Sequence, residues 1–263
     1  MSSVRWSVLW RKEWLEARRS YKLLWFPVVF ILMGMLQPLS TYYLPQILQM
    51  AGGLPDGSHI TLPEYTGAEV MASTLANQFD QLGVIIMVIG MMGVIVSDKH
   101  NGMLAFVLTR NTTLTEYFLS KWLSQAVLIA VAIGAGFITS LVYTSYLYEG
   151  LPLSRMAAGF GIYFVWCLFV VTLTLMLCSI LNRSSGVAVV AIFALLFLKG
   201  ITAFKTEYQI LNPAYMSQHA VNMITTGEVL PFFAISFIGT IGIIVVFIYC
   251  STFYLSRKEL PSM

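Results

Sequence analysis

The sequence predicts an all-α, polytopic membrane protein with six transmembrane helices and an N-terminal amphipathic helix at the membrane interface. Of the 263 residues, 58% are hydrophobic, whereas an average soluble domain is about 45–50% apolar. Only 10% of the residues are charged, whereas about 25% is usual. Six apolar runs are long enough to cross a bilayer as helices, and they lack the strict alternation of barrel strands. This composition argues against a soluble enzyme, a disordered protein and a nucleic-acid-binding module.

The N-terminal segment, residues 1–22, is predicted to form an amphipathic helix along the inner membrane surface. Its apolar residues recur at helical spacing and include tryptophans, while basic residues occupy the other positions. Indole rings favour the headgroup level, where lysine and arginine also meet anionic lipid. The helix is either a plain anchor or an elbow that also braces a cytoplasmic partner. The residues assigned to this elbow are Trp10, Arg11, Lys12, Glu13 and Trp14.

The predicted spans form one transmembrane domain that occupies the whole chain, residues 1–263. Each is a mostly apolar stretch whose length is close to the ~20 residues that a helix needs to cross a hydrocarbon core of ~30 Å. The second span begins with a more polar turn that precedes its strictly apolar part. The spans are predicted at residues 23–44, 75–96, 121–148, 157–181, 186–204 and 230–255.

The distribution of lysine and arginine predicts which side of the membrane each loop faces. Of the 15 basic residues, all except Arg155, Lys199 and Lys205 fall on one side of a six-span chain. Because basic loops stay in the cytoplasm, both termini, residues 97–117 and the turn at Arg183 are predicted to be cytoplasmic. The acidic first loop and the helical segment 208–229 are predicted to face outside, in a protein of the cell membrane.

The second cytoplasmic segment, residues 97–117, contains an apolar stretch from Met103 to Leu108 that is too short to span the membrane. This stretch needs a cover, which lipid, the protein's own helix ends or a partner's groove would supply. Thr113 and Glu116 then match the spacing of a capping box, which starts a new helix leading into the third span. The segment is therefore predicted to be helix, turn and helix.

This segment resembles the motif that small ABC-2 type permeases carry between their second and third spans. The motif has an acidic residue, three further residues, Gly-Thr-Leu, a hydrophobic stretch, a Pro-Val-Ser/Thr-Arg-like turn and a Gly-Lys pair. The matching residues here are Asp98, Gly102, Leu104, Thr113 and Lys121. The departures are Met103 at the threonine, Asn111 at the proline, Leu114 at the arginine and Ser120 at the glycine. Two shorter stretches, Arg11-Lys12-Glu13 and Leu211-Asn212-Pro213-Ala214-Tyr215, also resemble these permeases.

The resemblance implies the membrane subunit of an ATP-driven exporter. No catalytic or metal site is expected in it, because the three histidines fall in different loops and no cluster of catalytic side chains lies at one membrane depth. In that family two permease subunits, alike or different, meet two cytosolic ATPase subunits, which dock on the segment between spans two and three. The chain has no Gly-x-x-x-x-Gly-Lys-Ser/Thr motif, so ATP and Mg²⁺ are expected on the separate ATPase. The resemblance assigns ATPase coupling to residues 98–110, with Asp98, Asn101, Gly102, Met103, Leu104, Phe106, Leu108 and Arg110.

Several of these residues also have a purely structural interpretation. Asp98 and Lys121 could be interfacial charges at helix ends, and Gly102 could mark only the start of a helix. The resemblance makes segment 208–229 a re-entrant outer gate, whereas its apolar periodicity alone fits an amphipathic connector. The residues of this possible gate are Asn212, Pro213 and Tyr215.

Lys199 is interpreted as the one charged residue within a span, which either snorkels outward or lines a transport path. A single intramembrane charge counts against the alternative function of an ion-coupled secondary transporter. A third possibility is a membrane anchor or regulator that holds a cytosolic protein on the basic N-terminal face.

Overall fold

The computed structural model of the chain describes residues 2–50, 65–103, 113–202 and 209–258. Regular structure in these ranges is helical, and one helix is of the π type. The helices are α1 Ser2–Arg19, α2 Lys22–Met50, α3 Gly67–Ser73, the π-helix Thr74–Gly83, α4 Val84–Met91, α5 Val96–His100, α6 Leu114–Leu147, α7 Leu153–Ile180, α8 Ser184–Ile201, α9 Tyr215–Thr226 and α10 Phe233–Lys258.

Six helical stretches in the described ranges are long and apolar enough to cross a membrane, which confirms the predicted fold class. They are α2, the stretch Gly67–His100 that contains α3 to α5, then α6, α7, α8 and α10. Because the number of crossings is even, α1 and the last turn of α10 lie on the same face of the bundle. We call this the termini face, and α9, which follows the fifth crossing, lies at the opposite face.

The second and third spans begin about two turns before their predicted starts because both have capped N-termini. The hydroxyl of Thr66 accepts the amide of Glu69, whose carboxylate accepts the amide of Thr66. Thr113 and Glu116 form the same reciprocal pair, which confirms the predicted capping box. These caps satisfy amides that the first helical turn leaves free, so the helices extend into polar sequence. Lys121 therefore lies within α6 rather than at its start.

Helices α2 and α6 pack along each other with their backbones in close contact. A Cβ atom on Gly34 would lie 2.2 Å from the carbonyl oxygen of Gly136, and a Cβ atom on Gly136 would lie 2.5 Å from the carbonyl oxygen of Phe30. Only glycine allows this approach, which is the way that small residues let membrane helices pack closely.

Helix α7 lies in the centre of the bundle, where it packs against α4, α6, α8, α9 and α10. Its large side chains Tyr163, Trp166 and Phe169 are buried. The outer helices α8 and α10 instead have only 17% of the residues in their most apolar stretches buried inside the bundle. A five-residue connection, residues 148–152, joins α6 to α7, and a three-residue turn, residues 181–183, joins α7 to α8.

Candidate functional site

A cluster of charged side chains is buried at the termini face, where α1, α5 and α6 meet. The fully buried ammonium of Lys121 lies 3.0 Å from Asp98 Oδ2 and 3.2 Å from Glu13 Oε2. The ammonium of Lys12 lies 3.3 Å from Asp98 Oδ2 and 3.3 Å from Glu13 Oε1. Each buried carboxylate therefore has a lysine on either side, as buried charges require.

Two further residues complete this charged cluster, which comprises Lys12, Glu13, Glu16, Asp98, Tyr117 and Lys121. The buried hydroxyl of Tyr117 donates to Asp98 Oδ2 at 2.7 Å. The carboxylate of Glu16 lies at the rim, 3.9 Å from the ammonium groups of both lysines. The cluster fastens α1 to the end of the second span and to the start of the third.

Some of the predicted elbow residues on α1 lie in the charged cluster and the others lie outside it. Leu9, Glu13 and Ala17, spaced one turn apart, form its buried face. Trp14 is exposed and its ring stacks on Trp10 with the centroids 6.4 Å apart. Lys12 and Glu13 thus belong to the cluster, whereas the exposed Arg11 and Trp14 and the half-buried Trp10 lie outside it.

The same end of the second span is also tied to the turn between α7 and α8. The ammonium of Lys99 donates to the carbonyl oxygens of Cys178 at 2.9 Å and Leu181 at 3.3 Å. His100 Nε2 lies 2.8 Å from the carbonyl oxygen of Asn182. These side chains satisfy carbonyls at the end of α7, where a cation is also favoured by the helix dipole. Sequence reasoning did not single out Lys99 or His100 for this role.

After α5 the chain turns at Gly102, whose φ of +65° is left-handed. A Cβ atom there would have no neighbour within 4 Å, so backbone conformation alone calls for glycine. Asn101 and Met103 are exposed beside it and, with Lys12 and Glu16, line a groove of about 580 Å³. The remaining residues assigned to coupling, Leu104, Phe106, Leu108 and Arg110, lie outside the described residues.

An ion pair inside the membrane-spanning region links the second and fifth spans near the opposite face. The ammonium of Lys199 binds Asp80 Oδ2, and Trp166 Nε1 donates to Asp80 Oδ1 at 2.8 Å. The interpretation of Lys199 as the one charged residue within a span is therefore wrong, because Asp80 lies in the span Gly67–His100. Asp80 was missed although it stands at the edge of the second apolar run, which was the signal that could have found it.

The predicted gate residues lie where α9 begins. Asn212 Nδ2 donates to the carbonyl oxygen of Leu198 at 2.7 Å, and Asn212 Oδ1 accepts the amide of Ala214 at 3.0 Å. Pro213 follows in the turn and Tyr215 is buried at the first position of α9. Asn212 therefore attaches α9 to the end of α8, close to Lys199.

His219 on α9 is a further buried residue that sequence reasoning left unassigned. Its ring packs between Tyr215, at 4.6 Å between centroids, and Phe233, at 5.2 Å. Neither ring nitrogen has a hydrogen-bond partner among the described residues. Burial away from water lowers the pKa of His219 to about 4. The imidazole is therefore neutral at pH 7.

Acidification from pH 7 to pH 5 is expected to weaken the packing of α9 by about 2 kcal/mol. An exposed histidine has a pKa of about 6.5, so undocked α9 takes up a proton that buried His219 does not. The contribution of His219 to stability is therefore fully present above pH 6.5 and is lost progressively as the pH falls towards 4. Hydrogen exchange of α9, corrected for intrinsic rates, measures this loss. His219→Leu should abolish it, and an unchanged pH response in that variant would assign the effect to another group.

Comparison with known proteins agrees with this architecture. Residues 7–260 match the family described as ABC-2 family transporter protein. The chain is also 39% identical over 180 residues to the uncharacterized transmembrane protein YxlG of Bacillus subtilis (strain 168). That alignment covers 68% of this chain and 69% of the relative. With six membrane-crossing helices and a family match along nearly its whole length, the chain belongs to the ABC-2 family of transporter membrane proteins.

Proposed function

We propose that this chain is the permease subunit of an ATP-driven exporter and that a separate cytosolic ATPase docks on residues 98–110. The ATPase binds ATP and Mg²⁺, and two permease subunits, alike or different, form the substrate path between them. The protein lies in the cell membrane with its termini face in the cytoplasm. ATP binding closes the ATPase pair, the docked segments follow, and the spans move as packed bodies.

The observation that carries this proposal is the charged cluster around Lys121. A docking segment transmits force only if it is fastened to the spans that must move. Asp98, the first residue assigned to coupling, is held by both lysines and by Tyr117 within 3.3 Å. A displacement of this residue therefore pulls on α1 and α6 together. The side chain of Lys99 extends the connection to the end of α7.

The exposed apolar side of α8 supports a second permease subunit as a partner. Phe193 and Phe197 lie one turn apart on this helix and each is 70% exposed. A further copy or a related permease that packs here would cover a face that otherwise contacts only lipid. Membership of the family also favours ATP-driven transport over the ion-coupled alternative.

The proposal predicts that Gly102→Val and Asp98→Asn lower the recovery of the ATPase. Valine cannot readily adopt the left-handed backbone at Gly102, and asparagine removes the charge that both lysines bind. The tagged chain, purified in mild detergent from its own cells, should bring down an ATPase identified by mass spectrometry. We expect roughly tenfold less ATPase with each variant, equivalent to ~1.4 kcal/mol of docking energy.

The matched control is Glu149→Gln, which removes an exposed carboxylate at the opposite face. This variant should recover as much ATPase as the unmodified chain, and Gly102→Asn should recover more than Gly102→Val because asparagine tolerates this backbone conformation. A stable, folded chain that brings down no ATPase would refute the exporter proposal. The anchor or the secondary transporter would then become the leading function.

A further inference from the structure

The opposite face contains a partly enclosed cavity of about 310 Å³ between the second span, the end of α8 and α9. Lys199 and Asp80 lie on its wall, and Thr202, Ser217, Gln218 and Thr225 surround them. Its volume falls in the range of small-molecule sites, about 300–1,000 Å³. Lys199 lies two residues before the end of α8, so the cavity is at the depth where this span leaves the bilayer.

The two charged groups have unequal access to the cavity. Asp80 is 4% exposed, and its carboxylate oxygens are occupied by Trp166 and Lys199. The side chain of Lys199 is 27% exposed. The carboxylate therefore lies at the bottom of the site, and the ammonium is the group that a ligand contacts. An ammonium has three N–H donors, of which Asp80 takes one, so donors remain for an anionic group.

The rim of the cavity supplies mainly acceptors. The hydroxyl of Thr202 donates to the carbonyl oxygen of Lys199 at 2.7 Å, and Ser217 donates to that of Ala214 at 3.0 Å. Thr225 donates to the carbonyl oxygen of Val221 at 3.1 Å. Because each hydroxyl already donates its hydrogen to a backbone carbonyl, its oxygen can only accept a hydrogen bond from a ligand. The cavity thus pairs one cationic donor with several neutral acceptors.

This arrangement fits a ligand that carries both charges. The pair of Asp80 and Lys199 is neutral as a whole, so it compensates poorly for the desolvation of a ligand with a net charge. A compact zwitterion avoids that cost, since its anionic group meets Lys199 while its ammonium donates to the hydroxyl oxygens. Because the cavity lies where the fifth span leaves the bilayer, at the level of lipid head groups, we propose that it binds the phosphoethanolamine group of a phosphodiester, either as the head group of a lipid or as a soluble glycerol ester. In such a diester one phosphate charge balances one ammonium charge.

Calorimetric titration of the purified full chain in phosphatidylcholine nanodiscs tests this proposal with two soluble probes. Glycerophosphoethanolamine should bind, whereas glycerophosphocholine, whose quaternary nitrogen has no hydrogen to donate, should bind roughly tenfold more weakly or not at all. Equal affinity for the two probes, or no binding of glycerophosphoethanolamine, would overturn the proposal.

Variants of the rim keep the ion pair intact and so do not depend on the folding of a Lys199 variant. Ser217→Ala combined with Thr225→Val should weaken glycerophosphoethanolamine binding about tenfold. The matched control is Ser256→Ala with Thr252→Val in α10, where both hydroxyls also donate to carbonyls of their own helix. The control should bind as the unmodified chain does. Equal binding by the rim variant and its control would overturn the proposed site.

The same titration in nanodiscs that also contain phosphatidylethanolamine distinguishes the two sources of the ligand. Loss of the calorimetric signal there indicates that lipid head groups occupy the cavity, and a retained signal indicates a soluble ligand. Both results support the site, because each requires prior binding of glycerophosphoethanolamine in the phosphatidylcholine nanodiscs. Neither depends on whether an ATPase docks at the termini face.

Discussion

Replacement of Lys121 with methionine is expected to destabilise the protein by about 3–5 kcal/mol, the usual loss when one partner of a buried ion pair is removed. The ammonium of Lys121 is the nearest cation to the carboxylates of both Asp98 and Glu13. Its side chain is fully buried, so water cannot take its place. Lys12 remains, but one ammonium cannot balance both buried carboxylates. Helix α1 should therefore detach from α6.

Thermal unfolding of the purified chain in detergent, with and without the substitution, measures this effect. Arg18→Met is the matched control, because Arg18 is an exposed cation on the same helix α1. The combined variant Glu13→Gln, Asp98→Asn and Lys121→Met should recover part of the loss, since it leaves no uncompensated charge in the cluster. Equal melting temperatures for Lys121→Met and Arg18→Met would show that the cluster does not hold α1 in place.

Substitution of the glycines between α2 and α6 should have the second largest effect. We expect Gly136→Ala to cost on the order of 1–3 kcal/mol, because overpacking forces a backbone shift where no side chain can yield. The added methyl would lie 2.5 Å from the carbonyl oxygen of Phe30. Gly34→Ala should cost at least as much, since its methyl would lie 2.2 Å from a backbone oxygen.

The control for this pair is Gly161→Ala in α7, where an added methyl would meet nothing within 4 Å. That change should be neutral or slightly stabilising, because alanine has the higher helix propensity. Thermal unfolding in detergent again provides the measurement. A melting temperature that falls equally for Gly161→Ala and Gly136→Ala would show that the loss does not come from contact between the two spans.

The spans could be predicted from the sequence because apolar length is enough to identify a membrane helix. Their ends depend on single side chains outside the apolar run. The pairing of Thr113 with Glu116 was recognised in the sequence, and it marks the point where α6 begins. The same pairing of Thr66 with Glu69 was not recognised, so the second span was predicted to begin at residue 75 although its helix starts at Gly67.

The charged cluster could be predicted only as separate residues. Asp98 and Lys121 matched a family motif, and Glu13 belonged to the elbow helix, but no local pattern places Glu13 beside a lysine 108 positions later. Such contacts depend on how whole helices cross. The pair of Asp80 and Lys199 could not be predicted from a local pattern either, since 119 positions separate the two residues. In both cases the cost of burying one charge could have indicated that a partner was needed.

The short connection between α6 and α7 also bears on how the newly made chain enters the membrane. In the proposed orientation, residues 148–152 must cross the bilayer before these two helices can face each other. Glu149 is the one charged residue among them, and the apolar side chains of both helices outweigh the cost of its transfer. The two helices are therefore expected to insert during synthesis as a single hairpin. A bulky tag placed in this turn would have to be translocated with it, so it would obstruct biogenesis even though the turn lies far from the charged cluster.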